Sequence, residues 1–102
     1  MSSVCWFEDR ERRLTRARAL AATEPAAALA LVESVLSECP DDAQARYAKG
    51  AVLVDVADAE RDPARAAALY REAIALLQGG GREPDADLRA AQRGLEAALR
   101  ER

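Results

Sequence analysis

Four prolines punctuate this chain, and each stands beside an acidic residue: Glu24-Pro25, Pro40-Asp41, Asp62-Pro63 and Pro84-Asp85. Proline lacks a backbone N–H and clashes with the preceding turn, so it sits at the first turn of a helix or between helices, not inside one. A neighbouring carboxylate can accept the free N–H groups of a helix start. The prolines therefore restrict where helices can begin and leave segments each long enough for one helix. Those segments are rich in alanine, poor in β-branched residues and free of period-two alternation, so strands are not expected. The expected fold class is all-α.

Apolar spacing predicts about five helices. The first is expected over Glu8–Ala22, with Leu14, Ala17 and Ala21 in one stripe and Leu20 alongside. The second is expected over Pro25–Glu38; Leu29, Leu31, Val32, Val35 and Leu36 cover so wide an arc that it should be sandwiched between neighbours. Asp41 is the expected N-cap of the third helix, with Gln44 completing a capping box. That helix should run to about Ala57, its inner face made by Ala43, Tyr47, Gly50, Ala51 and Val54. Glycine in mid-helix costs about 1 kcal/mol against alanine, so Gly50 is expected where another helix passes close. An acidic loop is expected from Asp58 to Asp62, and Asp62-Pro63 should cap and open the fourth helix, which runs to about Gln78. Its stripe is Ala66, Leu69, Tyr70, Ala73, Ile74 and Leu77. Gly79-Gly80-Gly81 should end it in a left-handed conformation. The fifth helix begins at Asp85, with Leu88, Ala91, Leu95, Ala98 and Leu99 inward and Arg89, Gln92, Arg93, Glu96 and Arg100 outward. Leu31, Val32, Tyr70, Ile74 and Leu77 are expected in the core. Short links favour antiparallel neighbours, hence stacked hairpins.

With 102 residues the chain can form one domain with one modest core. The net charge of −3 argues against general nucleic-acid binding. No apolar run approaches the ~20 residues of a membrane span. The N-terminus lacks the basic and apolar regions of a secretory signal, so a cytoplasmic location is expected. Cys5 and Cys39 have no CxxC spacing; free thiols are the expected state, with a disulfide left open. The arginine excess reads as the codon usage of a GC-rich bacterial genome. Histidine is absent, which removes the commonest general base and metal ligand. No enzyme activity, metal or other cofactor is expected. Gly79-Gly80-Gly81 lacks the Lys-Ser/Thr of a phosphate loop. The acids Asp55, Asp58, Glu60 and Asp62 fail the calcium-loop pattern: counted from Asp58, Pro63 stands where glycine is needed and Leu69 where glutamate is needed.

The chain also repeats itself. Aligned on their prolines, the second and fourth helices match Ala28 with Ala66, Leu31 with Leu69, Val32 with Tyr70, Val35 with Ala73 and Leu36 with Ile74. Pro40-Asp41 and Lys49-Gly50 keep the same separation as Pro84-Asp85 and Arg93-Gly94. This pattern resembles the tetratricopeptide repeat (TPR), a helix-turn-helix of 34 residues. Gly50, Ala66, Tyr70 and Ala73 occupy the family's glycine, small and aromatic positions, with Pro84 as the following proline. In the preceding repeat Ala28 and Pro40 fit, whereas Arg16 falls at the glycine position and Arg12 and Val32 at aromatic positions. The resemblance implies a TPR-like right-handed array across residues 1–102: an N-terminal segment (1–7), repeats over 8–38 and 42–78, and a capping helix over 85–101.

It further implies a groove lined by the first helix of each repeat, presenting Arg10, Arg13, Ala17 and Leu20, then Gln44, Tyr47, Ala51 and Val54, then Leu88, Ala91 and Leu95. Such grooves bind a peptide or helix of a protein partner. Tyr47 is equally expected as a packing residue. Trp6 and Phe7 could plug the first hairpin or anchor a partner, and both readings stay open. The cluster Arg10, Arg12, Arg13, Arg16 and Arg18 is expected as a solvated face, with an acidic protein as the next choice. The expected function is a non-catalytic protein–protein interaction module or small accessory subunit; a second copy of the chain is an admissible partner. The alternative is a small TPR-like chaperone that shields an aggregation-prone helix of a secreted or assembling subunit.

Overall fold

The computed structural model describes residues 7–79 and 85–101, with residues 7 and 8 by backbone alone. It contains α1 (Phe7–Leu20), α2 (Pro25–Glu38), α3 (Ala43–Ala59), α4 (Pro63–Gln78) and α5 (Ala86–Glu101). The chain is all-α: 86% of the described residues are helical and none is in a strand. Adjacent helices pack together, and α3 touches all four others.

The acid–proline pairs act as starts, with one shift. At Cys39-Pro40-Asp41-Asp42 the Asp42 N–H donates to the Cys39 carbonyl at 3.1 Å, closing a turn around Pro40 and Asp41. Asp41 is consumed by that turn, so the N-cap is Asp42, one residue later than expected. Its Oδ1 accepts from the Gln44 and Ala45 amides at 3.0 and 3.3 Å. Asp62 caps α4 through the Ala64 amide at 3.2 Å, with Pro63 as the first helical residue. Asp85 caps α5 through the Leu88 amide at 3.0 Å. The helix α3 runs two residues beyond the expected end, so Asp55 and Asp58 are helical and the acidic loop shrinks to residues 60–62. Gly79, the C-cap residue of α4, adopts φ −67°, ψ 160°, extended and not left-handed. Gly80 and Gly81 lie outside the described residues.

The core forms two clusters on opposite sides of α3. Ala45, Ala48 and Val52 pack with Leu14, Ala17, Ala21, Ala28, Val32 and Val35 of the first hairpin. Leu53, Val54 and Ala57 pack with Ala66, Tyr70, Ala73 and Leu77 of α4 and Leu88, Ala91 and Ala98 of α5. The helix α3 is thus sandwiched between the two clusters, and α2, as expected, lies between neighbours, packing on α1 and α3. Alanine fills little space, so this core depends on close backbone approach. Gly50 supplies one such approach, as expected: a β-carbon there would stand 2.9 Å from Leu77 Cγ. Gly94 supplies another, lying beneath the ring of Tyr70. On the outer side, Lys49 reaches Glu33 of α2 and Glu72 of α4, both at 3.4 Å.

Val32, Tyr70 and Leu77 are buried as expected, but Leu31 and Ile74 are only half-buried. Each is next to a fully buried residue, Val32 or Ala73, and one position is a 100° rotation about a helix axis. Leu99 is 40% exposed, and Ala43 is exposed at the start of α3. Among the described residues α5 packs on α3 and α4, and its buried stripe is Leu88, Ala91 and Ala98. Cys39 is buried and disulfide-bonded, which corrects the expectation of free thiols. The one other cysteine of the sequence, Cys5, lies outside the described residues.

Candidate functional site

The helices α1, α3 and α5 lie side by side, α3 contacting both of the others, and α2 and α4 pack behind them. Between α1 and α3 this face carries a groove of about 450 Å³, bounded by Glu11, Thr15 and Arg18 on one wall and Gln44, Tyr47 and Ala48 on the other. A second hollow of about 350 Å³ separates the start of α3 from the end of α4, and Tyr47 also lines it, with Arg46 and Leu76.

The residues singled out from the sequence divide into several groups. Gln44 is exposed and Tyr47 half-buried, and both line the groove. Arg10 and Arg13 are engaged within the fold. Arg10 donates to Asp42 Oδ2 at 2.8 Å and so ties α1 to the cap of α3. Burial disfavours the Asp42 carboxylate, but Arg10 and the Ala45 and Gln44 amides outweigh it and hold Asp42 below its ordinary value. Arg13 turns toward α2, where it meets Glu38 at 2.9 Å and Ser34 Oγ at 3.0 Å, and it also pairs with Asp9 at 2.6 Å. It does not reach the groove. Ala51 and Val54 are 7% and 8% exposed, so they floor the face and offer little area for contact. Ala17, Leu88 and Ala91 are core, while Leu20 and Leu95 are half-buried. Trp6 and the Phe7 side chain lie outside what is described. Arg12 is exposed and 3.9 Å from Asp9.

Glu11, Thr15, Arg18 and Ala48 line the groove without having been assigned to it from the sequence, and Asp55 and Asp87 lie near Arg18; Arg18 was expected as part of a solvated face or a contact for an acidic protein, and Asp55 among the loop acids. The α1 residues were legible, because Glu11, Thr15 and Arg18 recur at i, i+4 and i+7 beside the buried Leu14. Asp55 and Asp87 come together only when α5 docks on α3. Tyr47 organises this end. Its hydroxyl donates to Asp85 and lies 3.0 Å from Asp87 Oδ2. Burial first, and then these two carboxylates, push its pKa above the ordinary phenol value and keep the phenol protonated. Tyr70 behaves alike, its hydroxyl donating to Asp58. Arg18 stands 3.9 Å from Asp87. Asp55 makes no hydrogen bond or ion pair among the described residues. Burial, then Asp58 and Asp87, push its carboxyl up, and Arg18 only partly offsets them.

Among the described residues no group of side chains is placed to hold a metal ion, and no helix is long and apolar enough to cross a membrane. Compared with protein-family models, curated proteins and solved structures, the chain matches none.

Proposed function

We propose that this chain is a TPR-like interaction module that holds a peptide or helix of a partner protein against its α1–α3–α5 face, without catalysis. The observation that carries the reading is the open groove at Gln44, Tyr47 and Arg18, formed by alternate helices of the stack. Support comes from the two glycines of the repeat, since both Gly50 and Gly94 sit at close helix contacts. The arrangement suits recognition: an aromatic edge, hydrogen-bonding side chains and charge surround a floor of small residues. The disulfide at Cys39 weighs against the cytoplasmic expectation, because cytosolic reductants keep thiols free.

Affinity copurification of the full chain, without reductant, followed by mass spectrometry tests this. A stoichiometric partner is expected with the parent chain and should be lost with Thr15→Arg/Gln44→Arg, which fills the groove from two exposed positions. A partner that still binds this variant would refute the groove as the contact. A partner released before export would favour the chaperone alternative over a permanent subunit.

A further inference from the structure

We propose that the segment taken by the α1–α3–α5 face is basic, its apolar side lying on Tyr47 and a lysine or arginine reaching the Asp55–Asp87 end. This rests on the partner-binding reading above and narrows it to one chemical class. The face is charged in one direction. Asp55 and Asp58 come from α3, Asp87 from the first turn of α5, Asp85 from its cap and Glu11 from α1. Against them on this face stands Arg18, whereas Arg10 and Arg13 are engaged with Asp42, Glu38 and Asp9.

The carboxylates are not equivalent. Asp85 is occupied by the Leu88 amide and the Tyr47 hydroxyl, and Asp58 by the Tyr70 hydroxyl. Asp55 is partly buried, crowded by Asp58 and Asp87, and has no such bond among the described residues. A carboxylate in that position disfavours the folded free chain, and an incoming cation would relieve it. Its position fits a long basic side chain. Tyr47, Ala51 and Asp55 are spaced i, i+4, i+8 along one face of α3, and Ala51 is small and buried between the other two, so an aliphatic stem can run over the ring before the charge meets Asp55. An acidic segment or a nucleic acid would meet repulsion at the same place.

The test is a ¹⁵N–¹H titration of the full chain with two synthetic amphipathic peptides of equal length and apolar pattern, one with lysine at every polar position and one with glutamate. The lysine peptide is expected to shift the Tyr47, Ala51, Asp55 and Asp87 amides saturably and less at high salt. Asp55→Asn should weaken it about fivefold, the size of a favourable partly exposed ion pair, while leaving the unfolding midpoint unchanged or raised. That combination separates a recognition role from a structural one. Equal binding of the glutamate peptide at the same amides would overturn the basic class and leave the partner-binding face standing. Shifts of the lysine peptide confined to other surfaces, or full affinity in Asp55→Asn, would also overturn it. Self-association abolished by Asp55→Asn would place the chain's own arginines on this face and overturn an external partner. No shift of these amides with either peptide, together with a partner retained by Thr15→Arg/Gln44→Arg, would remove both readings.

Discussion

Replacing Gly94 by alanine tests the packing of α5 directly, because two opposing effects differ in sign. Gly94 is helical, so alanine should stabilise by about 1 kcal/mol if nothing else changed. The structure adds a collision. A β-carbon at this position would lie 2.8 Å from the Tyr70 hydroxyl oxygen and closer still to Cε1 and Cζ of the ring. The ring cannot simply swing away: Tyr70 is 6% exposed and its hydroxyl is held by Asp58. Overpacking of this kind costs about 1–3 kcal/mol. Losing a hydrogen bond to a charged acceptor costs about 1.5–3 kcal/mol more if the ring must leave Asp58. Set against the propensity gain, the expected net loss is about 2–4 kcal/mol, or roughly 10–20 °C in Tm for a chain of this size. Urea unfolding followed by circular dichroism measures it. Tyr70→Leu in the same background removes the obstacle, so the double-mutant cycle should show a coupling above about 1 kcal/mol. A Gly94→Ala chain more stable than its parent, or effects that simply add, would show that α5 does not cross α4 where the ring of Tyr70 lies.

Leu77→Ala should cost about 2–5 kcal/mol, because Leu77 is fully buried against the Gly50 contact, whereas half-buried Ile74→Ala should cost about 1–2 kcal/mol. The reverse order in urea unfolding would mean that α4 is rotated about its axis. Asp55→Asn should be more stable than the parent at pH 7. The folded-state carboxyl is raised, first by burial and then by Asp58 and Asp87, so its ionised form disfavours folding. That penalty is present above the raised value and vanishes below the ordinary 3.8, so the advantage of the variant should shrink as pH falls. An advantage that grows toward acid would refute the sign.

Much of the helix architecture was legible because the rules behind it are local. A proline can only open a helix or stand outside it, so Pro25 and Pro63 marked their helix starts correctly, and an aspartate beside a proline can cap free amides, as Asp62 and Asp85 do; Glu24 makes no such side-chain bond. The error at Asp41 was local too: two consecutive aspartates compete for one cap, and the Cys39–Asp42 turn decides between them. Gly50 as a close contact could be read from its cost in mid-helix, which only a neighbouring helix could offset.

The candidate site was legible only in part. Gln44 and Tyr47 followed from the repeat pattern, but the pattern gave no means of telling that Arg13 turns to Ser34 and Glu38 of α2. A guanidinium on a long stem can reach either neighbouring helix, and the choice depends on which acids those helices present.

What the amino-acid sequence determined by itself was the number of helices, nearly all their bounds and the all-α class, since capping, proline sterics and periodicity act over one helical turn. The tertiary structure alone decided that α3 is buried on both sides, that Leu99 is exposed, and that Asp55 faces Asp87. Alanine surrounds α3 on every side, so its apolar period cannot distinguish one buried face from two. Asp55 and Asp87 belong to different helices, and no local rule links them. Their repulsion exists only because the Gly94–Tyr70 contact and the Tyr47 hydroxyl bring the start of α5 against α3.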